Sequence, residues 1–122
     1  MIDYSKPTAQ MLGRWQPFHE GHLVLFKEIL KKTGQVVIMV RTMPVTENNP
    51  FKFEDIKKRI EEKLKDYKGK FEIIKVPNIT NICYGRDVGY KIEEIVLSKE
   101  IQEISATKIR QQQKIKHEHN ES

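Results

Sequence analysis

The sequence predicts an α/β domain built on a parallel β-sheet with helices on both faces. Three observations carry that expectation. Short apolar runs alternate with longer segments of helical periodicity. The run "QVVIMVR" (35–41) is almost continuously apolar and rich in valine and isoleucine, as a strand buried on both faces would be. The order strand, helix, strand, helix, strand implies right-handed crossovers between parallel strands.

The elements follow in chain order. Residues 1–8 read as a loose polar lead-in. "AQMLGRW" (9–15) reads as a short buried strand that ends at Gly13, and "QPF" as a turn. From about Gly21, the residues Leu23, Phe26, Ile29 and Leu30 recur at helical spacing, and Gly34 supplies the stop. After the central strand comes a polar loop, "TMPVTENNPF" (42–51). Phe53, Ile56, Ile60 and Leu64 then mark a second amphipathic helix that ends before Gly69. "KFEIIKVP" (70–77) is a third strand closed by Pro77. "NITNICYGRDVGY" (78–90) is a loop, and "KIEEIVLS" (91–98) fits a fourth strand or a short helix. "IQEIS" (101–105) reads as a short strand and "ATKIRQQQKIK" (106–116) as a final helix. The expected organisation is one domain over 1–122, with flexible ends at 1–8 and 115–122.

Composition narrows the function. With 38% hydrophobic residues the chain is too apolar in its middle to be disordered, despite 32% charged residues. No apolar run approaches the ~20 residues that span a bilayer, and the first residues lack the apolar core of a secretory signal. Cys83 is the single cysteine, which excludes an intrachain disulfide. A cytoplasmic protein is expected, with no membrane partner. The net charge of +5 comes mainly from lysines in mixed runs such as "EDIKKRIEEKLKDYKGK" (54–70). Such runs read as solvated helix faces with i,i+4 pairs rather than a nucleic-acid surface. A basic balance also raises the local concentration of a small anionic ligand.

Ligands of parallel sheets bind beyond the carboxyl ends of the strands. The first strand ends at Gly13, just before "HEGH" (19–22), at the start of a helix. A helix N-terminus offers unpaired N–H groups and partial positive charge to an anion. His19 and His22, three apart, lie on one side; Gly21 lets a phosphate approach the backbone, and Arg14 adds a permanent planar cation. The bland alternative is two histidines decorating a helix start. Metal binding lacks a third ligand, since Cys83 stands alone and His117 and His119 lie in the tail. A second stretch, "ISATKIR" (104–110), puts Ser105 and Thr107 where a helix would be capped and Arg110 about one turn later. A capped final helix would explain Ser105 alone; together the residues could converge on a second anionic group.

"GRWQPFHEGH" (13–22) resembles the glycine–arginine–aromatic–x–proline–phenylalanine–histidine–x–glycine–histidine signature of the nucleotidylyltransferase superfamily. "ISATKIR" is similar to that superfamily's second signature, and order and separation match. "NNPFKFEDIKKRI" (48–60) resembles a segment of archaeal-type nicotinamide-mononucleotide adenylyltransferases. The resemblance runs from about Met11 to Arg110. It implies a Rossmann-like fold, Mg²⁺, and transfer of a nucleoside monophosphate from a nucleoside triphosphate to a phosphorylated acceptor, with pyrophosphate leaving. It implies His19, His22 and Arg110 as catalytic residues. Gly13, Arg14, Trp15, Phe18, Gly21, Ile104, Ser105 and Thr107 would bind nucleotide, Arg14 holding either triphosphate or acceptor phosphate; the position of Arg86 in the loop after the third strand, at the same sheet edge, suits it to the acceptor phosphate. Trp15 either packs at the strand end or stacks on a base; Arg86 either holds acceptor or decorates the surface. ATP is favoured over CTP by the form of the first motif. The alternatives are a CTP-dependent enzyme for polyol or choline-like phosphates, whose small members have a chain this short, and a non-catalytic nucleotide- or nucleic-acid-binding module. Against nucleic acid, aromatics are not interleaved with the basic residues. Self-association is expected of such relatives and left open by the helices.

Overall fold

Three parallel strands and their crossover helices organise residues 1–86 and 89–102, the part of the chain that the computed structural model describes. Strand β1 (Ala9–Gly13) leads to helix α1 (Glu20–Thr33), strand β2 (Val36–Arg41) to helix α2 (Phe53–Lys63), and a 3₁₀ turn (Lys65–Tyr67) precedes strand β3 (Phe71–Val76). The strands lie in the order β1-β2-β3. Ala9 stands opposite Val36 and Gly13 opposite Val40; Val36 stands opposite Phe71 and Arg41 opposite Val76. The fold class is the one read from the sequence, α/β with a parallel sheet.

The register decides which side chains are buried, because alternate residues of a strand face opposite sides. Met11, Val36, Ile38 and Val40 share one face and form the core with Phe26 and Ile29 of α1, Ile56 and Ile60 of α2, and Leu64. Leu12, Val37 and Met39, on the other face, are half-buried. The strand order advances in one direction, so two crossovers of the same hand put α1 and α2 over the same face. The expected double burial of β2 is therefore complete on its helix side only, among the described residues.

Helix α1 ends where the sequence places its stop. Gly34 is left-handed (φ 81°), and its N–H donates to the Leu30 carbonyl (2.8 Å), a C-terminal cap that glycine adopts without a Cβ penalty. The lead-in is tied to the fold by Gln35. Its side chain donates to the Asp3 carbonyl (2.7 Å) and to Thr8 Oγ1 (2.6 Å), and accepts from the Asp3 N–H (3.0 Å); Ile2 is buried.

Two expectations near the C-terminus are corrected. Residues 91–98 form neither a strand nor a helix. Ile101 and Gln102, read as the start of a strand, close a short helix, α3 (Lys99–Gln102). Ser98 explains it: its carbonyl accepts from the Gln102 N–H (3.0 Å) and its hydroxyl from the Ile101 N–H (3.4 Å), so a serine cap outweighs the apolar spacing. The rest of that strand, the helix read over 106–116 and the tail lie outside the described residues. Among the described residues no helix is long and apolar enough to cross a membrane.

Candidate functional site

The site begins where β1 runs out. Trp15 takes a left-handed backbone (φ 52°), which costs a non-glycine residue roughly 1–3 kcal/mol. Burial of the indole offsets that cost: it is 6% exposed, and its N–H donates to the Met39 carbonyl (3.1 Å). The ring lies against Gly13, where a Cβ would stand 2.7 Å from it. Gly13 is thus required by the packing of Trp15. Phe18 is fully buried, in edge contact with Trp15 (5.6 Å between centroids). Trp15 and Phe18 therefore form the wall behind the histidines.

The first turn of α1 is capped by imidazoles. His19 is the N-cap residue, and its Nδ1 accepts from the Gly21 N–H (3.0 Å). The Nδ1 of His22 accepts in return from the His19 N–H (3.1 Å). This is the logic of a capping box, with histidines in place of serine and glutamate. It fixes the tautomer of each ring. A nitrogen that accepts from a backbone N–H carries no proton, so each neutral ring carries its proton on Nε2 and is left with one donor there. The two rings stack at 3.7 Å, and Trp15 meets His22 edge-on at 4.8 Å. Gly21 serves this arrangement directly: a Cβ there would stand 2.9 Å from His19 Cε1.

Both rings are held neutral. Burial, with His19 alongside, pushes His22 down to about 3. Burial also lowers His19, helped by the positive charge of Arg59. At neutral pH the start of α1 therefore offers two imidazole N–H donors without a protonated ring.

Four couplings from α2 and its approach loop complete the site, and sequence reading missed them. The Gln16 side chain pairs with the backbone of Phe51, donating to its carbonyl (3.1 Å) and accepting from its N–H (2.9 Å). Arg14 Nη1 donates to Asn49 Oδ1 (3.3 Å). Arg59 Nε donates to the Phe18 carbonyl (2.6 Å), just before His19, while Lys63 pairs with Glu20. The segment "NNPF" stood out in the sequence, but its contacts bridge 35 residues and leave no local pattern.

The structure thus brings Gly13, Arg14, Trp15, Phe18, His19, Gly21 and His22 together at the carboxyl end of β1. Arg86 is exposed in the loop after β3. Ile104, Ser105, Thr107 and Arg110 lie outside the described residues. The chain leading to them reaches the site: Ile101 Cγ2 stands 3.6 Å from where a Gly21 Cβ would be. Among the described residues no three His, Cys, Asp or Glu side chains group to hold a metal ion.

Fold and site together define an α/β protein with a histidine-capped helix start at the carboxyl edge of a parallel sheet. Its family follows from comparison with known proteins. The cytidylyltransferase-like family model matches residues 11–80, more than half of the sequence, and the chain belongs to that family. It is similar to the nicotinamide-nucleotide adenylyltransferase of Methanococcus aeolicus, with 33% identity over 73 residues, covering 58% of this chain and 42% of that protein. It is also similar to the proteins of the same name from Methanococcus maripaludis strain C5 and Methanococcus vannielii. Those identities are 50% and 47% over 30 residues, a quarter of this chain and 18% and 17% of those proteins. The chain aligns with less than half the length of these relatives.

Proposed function

We propose that this chain transfers a nucleoside monophosphate, AMP in preference to CMP, from a nucleoside triphosphate to a phosphorylated small molecule. An oxygen of the acceptor phosphate attacks the α-phosphorus. The bond from that phosphorus to the bridging oxygen breaks, and pyrophosphate leaves. The observation that carries this reading is the pair of neutral, stacked imidazoles, each left with a single Nε2–H donor, at the start of α1.

The acceptor is already an anion, so the reaction needs little general-base help. The burden is to align two anions and to meet charge that grows on the α-phosphate and the leaving group. His22 donates Nε2–H to the α-phosphate as that charge grows. His19 and the open backbone at Gly21 hold the triphosphate, and Arg14 adds charge for the triphosphate or for the acceptor phosphate. Trp15, Phe18 and Gly13 keep the histidines in place. Ser105, Thr107 and Arg110, preceded by Ile104, grip the outer phosphates; Arg86 faces the acceptor. The donors of the described site are N–H groups, suited to phosphate oxygens rather than to a metal. Mg²⁺ would accordingly come to this site on the triphosphate, keeping water ligands and neutralising phosphate charge. The names of the relatives support ATP as the donor.

Calorimetry with ATP and with CTP, each with Mg²⁺, tests the reading on the wild type and on His22→Ala. ATP is expected to bind more tightly, and the variant to lose affinity. A preference for CTP would make the chain a cytidylyltransferase for a polyol- or choline-like phosphate. Binding of neither nucleotide, alone or with candidate acceptors present, would sink the transfer reading.

A further inference from the structure

The ion pairs among the described residues join lysines to glutamates: Lys31 to Glu28, Lys32 to Glu93, and Lys63 to Glu20. Two arginines at the carboxyl edge of the sheet are held differently. Arg14 follows Gly13, whose partner in β2 is Val40, and Arg41 follows Val40. The register thus puts them at the ends of adjacent strands, which run about 4.8 Å apart. Each is held by the carboxamide oxygen of an asparagine: Arg14 Nη1 by Asn49 (3.3 Å) and Arg41 Nη2 by Asn78 (2.7 Å). Asn49 is only 7% exposed in a loop that is otherwise mostly solvated. It is fixed by reciprocal backbone bonds with Thr46 (3.1 Å each). Arg41 also has an Nε–H that is buried without a partner among the described residues.

A carboxamide oxygen orients a guanidinium and leaves its charge intact. A carboxylate would orient it more strongly but cancel the charge. Two oriented, uncompensated guanidinium groups at one strand edge form a receptor for an anion with two negative charges and several oxygens. We propose that Arg14 and Arg41 form the subsite for the acceptor's phosphomonoester, with Asn49 and Asn78 as positioning residues that hold the two cations without neutralising them. Only the word "acceptor" rests on the proposed transfer reaction; the phosphomonoester receptor stands on the arginine geometry.

The test measures binding of two probes, methyl phosphate and inorganic tripolyphosphate, by calorimetry. Wild type is compared with Asn49→Asp, Asn78→Asp, Asn78→Ala and Arg41→Gln. Each aspartate is expected to weaken methyl phosphate roughly tenfold or more, Asn78→Ala less than Asn78→Asp, and Arg41→Gln at least as much as Asn78→Asp. Tripolyphosphate affinity is expected to stay within about twofold in Asn78→Asp and Arg41→Gln. Asparagines that merely brace their loops would give the opposite order, since an aspartate grips arginine at least as well as alanine does. An aspartate variant that binds methyl phosphate as tightly as wild type would overturn the proposal. So would wild type that fails to bind it, or a parallel loss of both probes in Arg41→Gln. Asn78 is exposed, so Asn78→Asp decides the matter if Asn49→Asp does not fold. Failure of wild type to bind tripolyphosphate would count against the transfer reading, and the methyl phosphate series would still decide the subsite.

Discussion

Helices α1 and α2 start at the same edge of the same sheet, each after a parallel strand, yet their first turns are capped in different ways. At α2 the N-cap residue is Lys52, which makes no side-chain capping bond, and Glu54 and Asp55 occupy the first turn. Those acids complement the helix dipole and repel an anion. At α1 the cap is an imidazole, a second imidazole closes the box, and Glu20 is paired with Lys63. The dipole is common to both starts; the side chains around it are what differ. Histidine is not among the strongly preferred capping residues. Its use twice in one turn gives a cap that also carries two ring N–H donors.

Replacing His22 separates those two tasks, and the largest effect is expected there. In His22→Asn the amide oxygen takes the place of Nδ1 and still accepts from the His19 N–H, but the Nε2–H is gone. Turnover should fall by ~10²–10³, as when a transition-state donor is removed, with the melting temperature close to wild type. A folded variant with unchanged kcat would show that α1 is no more catalytic than α2.

Crowding the α1 start should cost stability as well as binding. The methyl group of Gly21→Ala meets the His19 ring, and the variant should lose roughly 1–3 kcal/mol in denaturant unfolding together with triphosphate affinity. Glu54→Ala, at the same turn of α2, should shift stability by only a few tenths of a kcal/mol. Equal losses at the two positions would erase the distinction between the helices.

Acid should weaken the α1 start selectively. His19 and His22 are lowered in the folded protein, so the unfolded chain takes up protons first as pH falls below about 6.5. The neutral rings cost nothing above that pH. Below it stability declines, for His22 down toward its folded value of about 3, by at most ~1.4 kcal/mol per pH unit for each ring. Denaturant melts at pH 7.5 and 5 should show the decline, and His22→Asn should flatten it. The smallest effect belongs to α2: Lys52→Asp supplies the missing cap and should add about 0.5–1 kcal/mol, with triphosphate affinity unchanged.

The α1 start was legible in the sequence because its signals are local. "HEGH" three residues apart, a glycine between, Gly34 as the stop and valine-rich β2 all lie within single elements. What the sequence concealed depends on residues that meet only in the fold. Gln16 reads Phe51, Arg59 reads the Phe18 carbonyl, and Asn49 and Asn78 hold arginines from other elements. Nothing in the spacing announces such pairs. The role of Gly13 was hidden for the same reason, since it depends on where the Trp15 ring folds. Ile101 differs from its expectation for another reason: its apolar spacing suits a strand, while Ser98 caps a helical turn there.

The central claim is that the α1 start presents neutral Nε2–H imidazoles to phosphate. Nitrogen-15 NMR of the His22 ring, through a pH titration and then a titration with ATP and Mg²⁺, tests it most directly. The account predicts an Nε2–H tautomer that stays neutral well below pH 5 and an Nε2 signal that moves on nucleotide binding. A ring that titrates near 6.5, carries its proton on Nδ1, or ignores the nucleotide would contradict it.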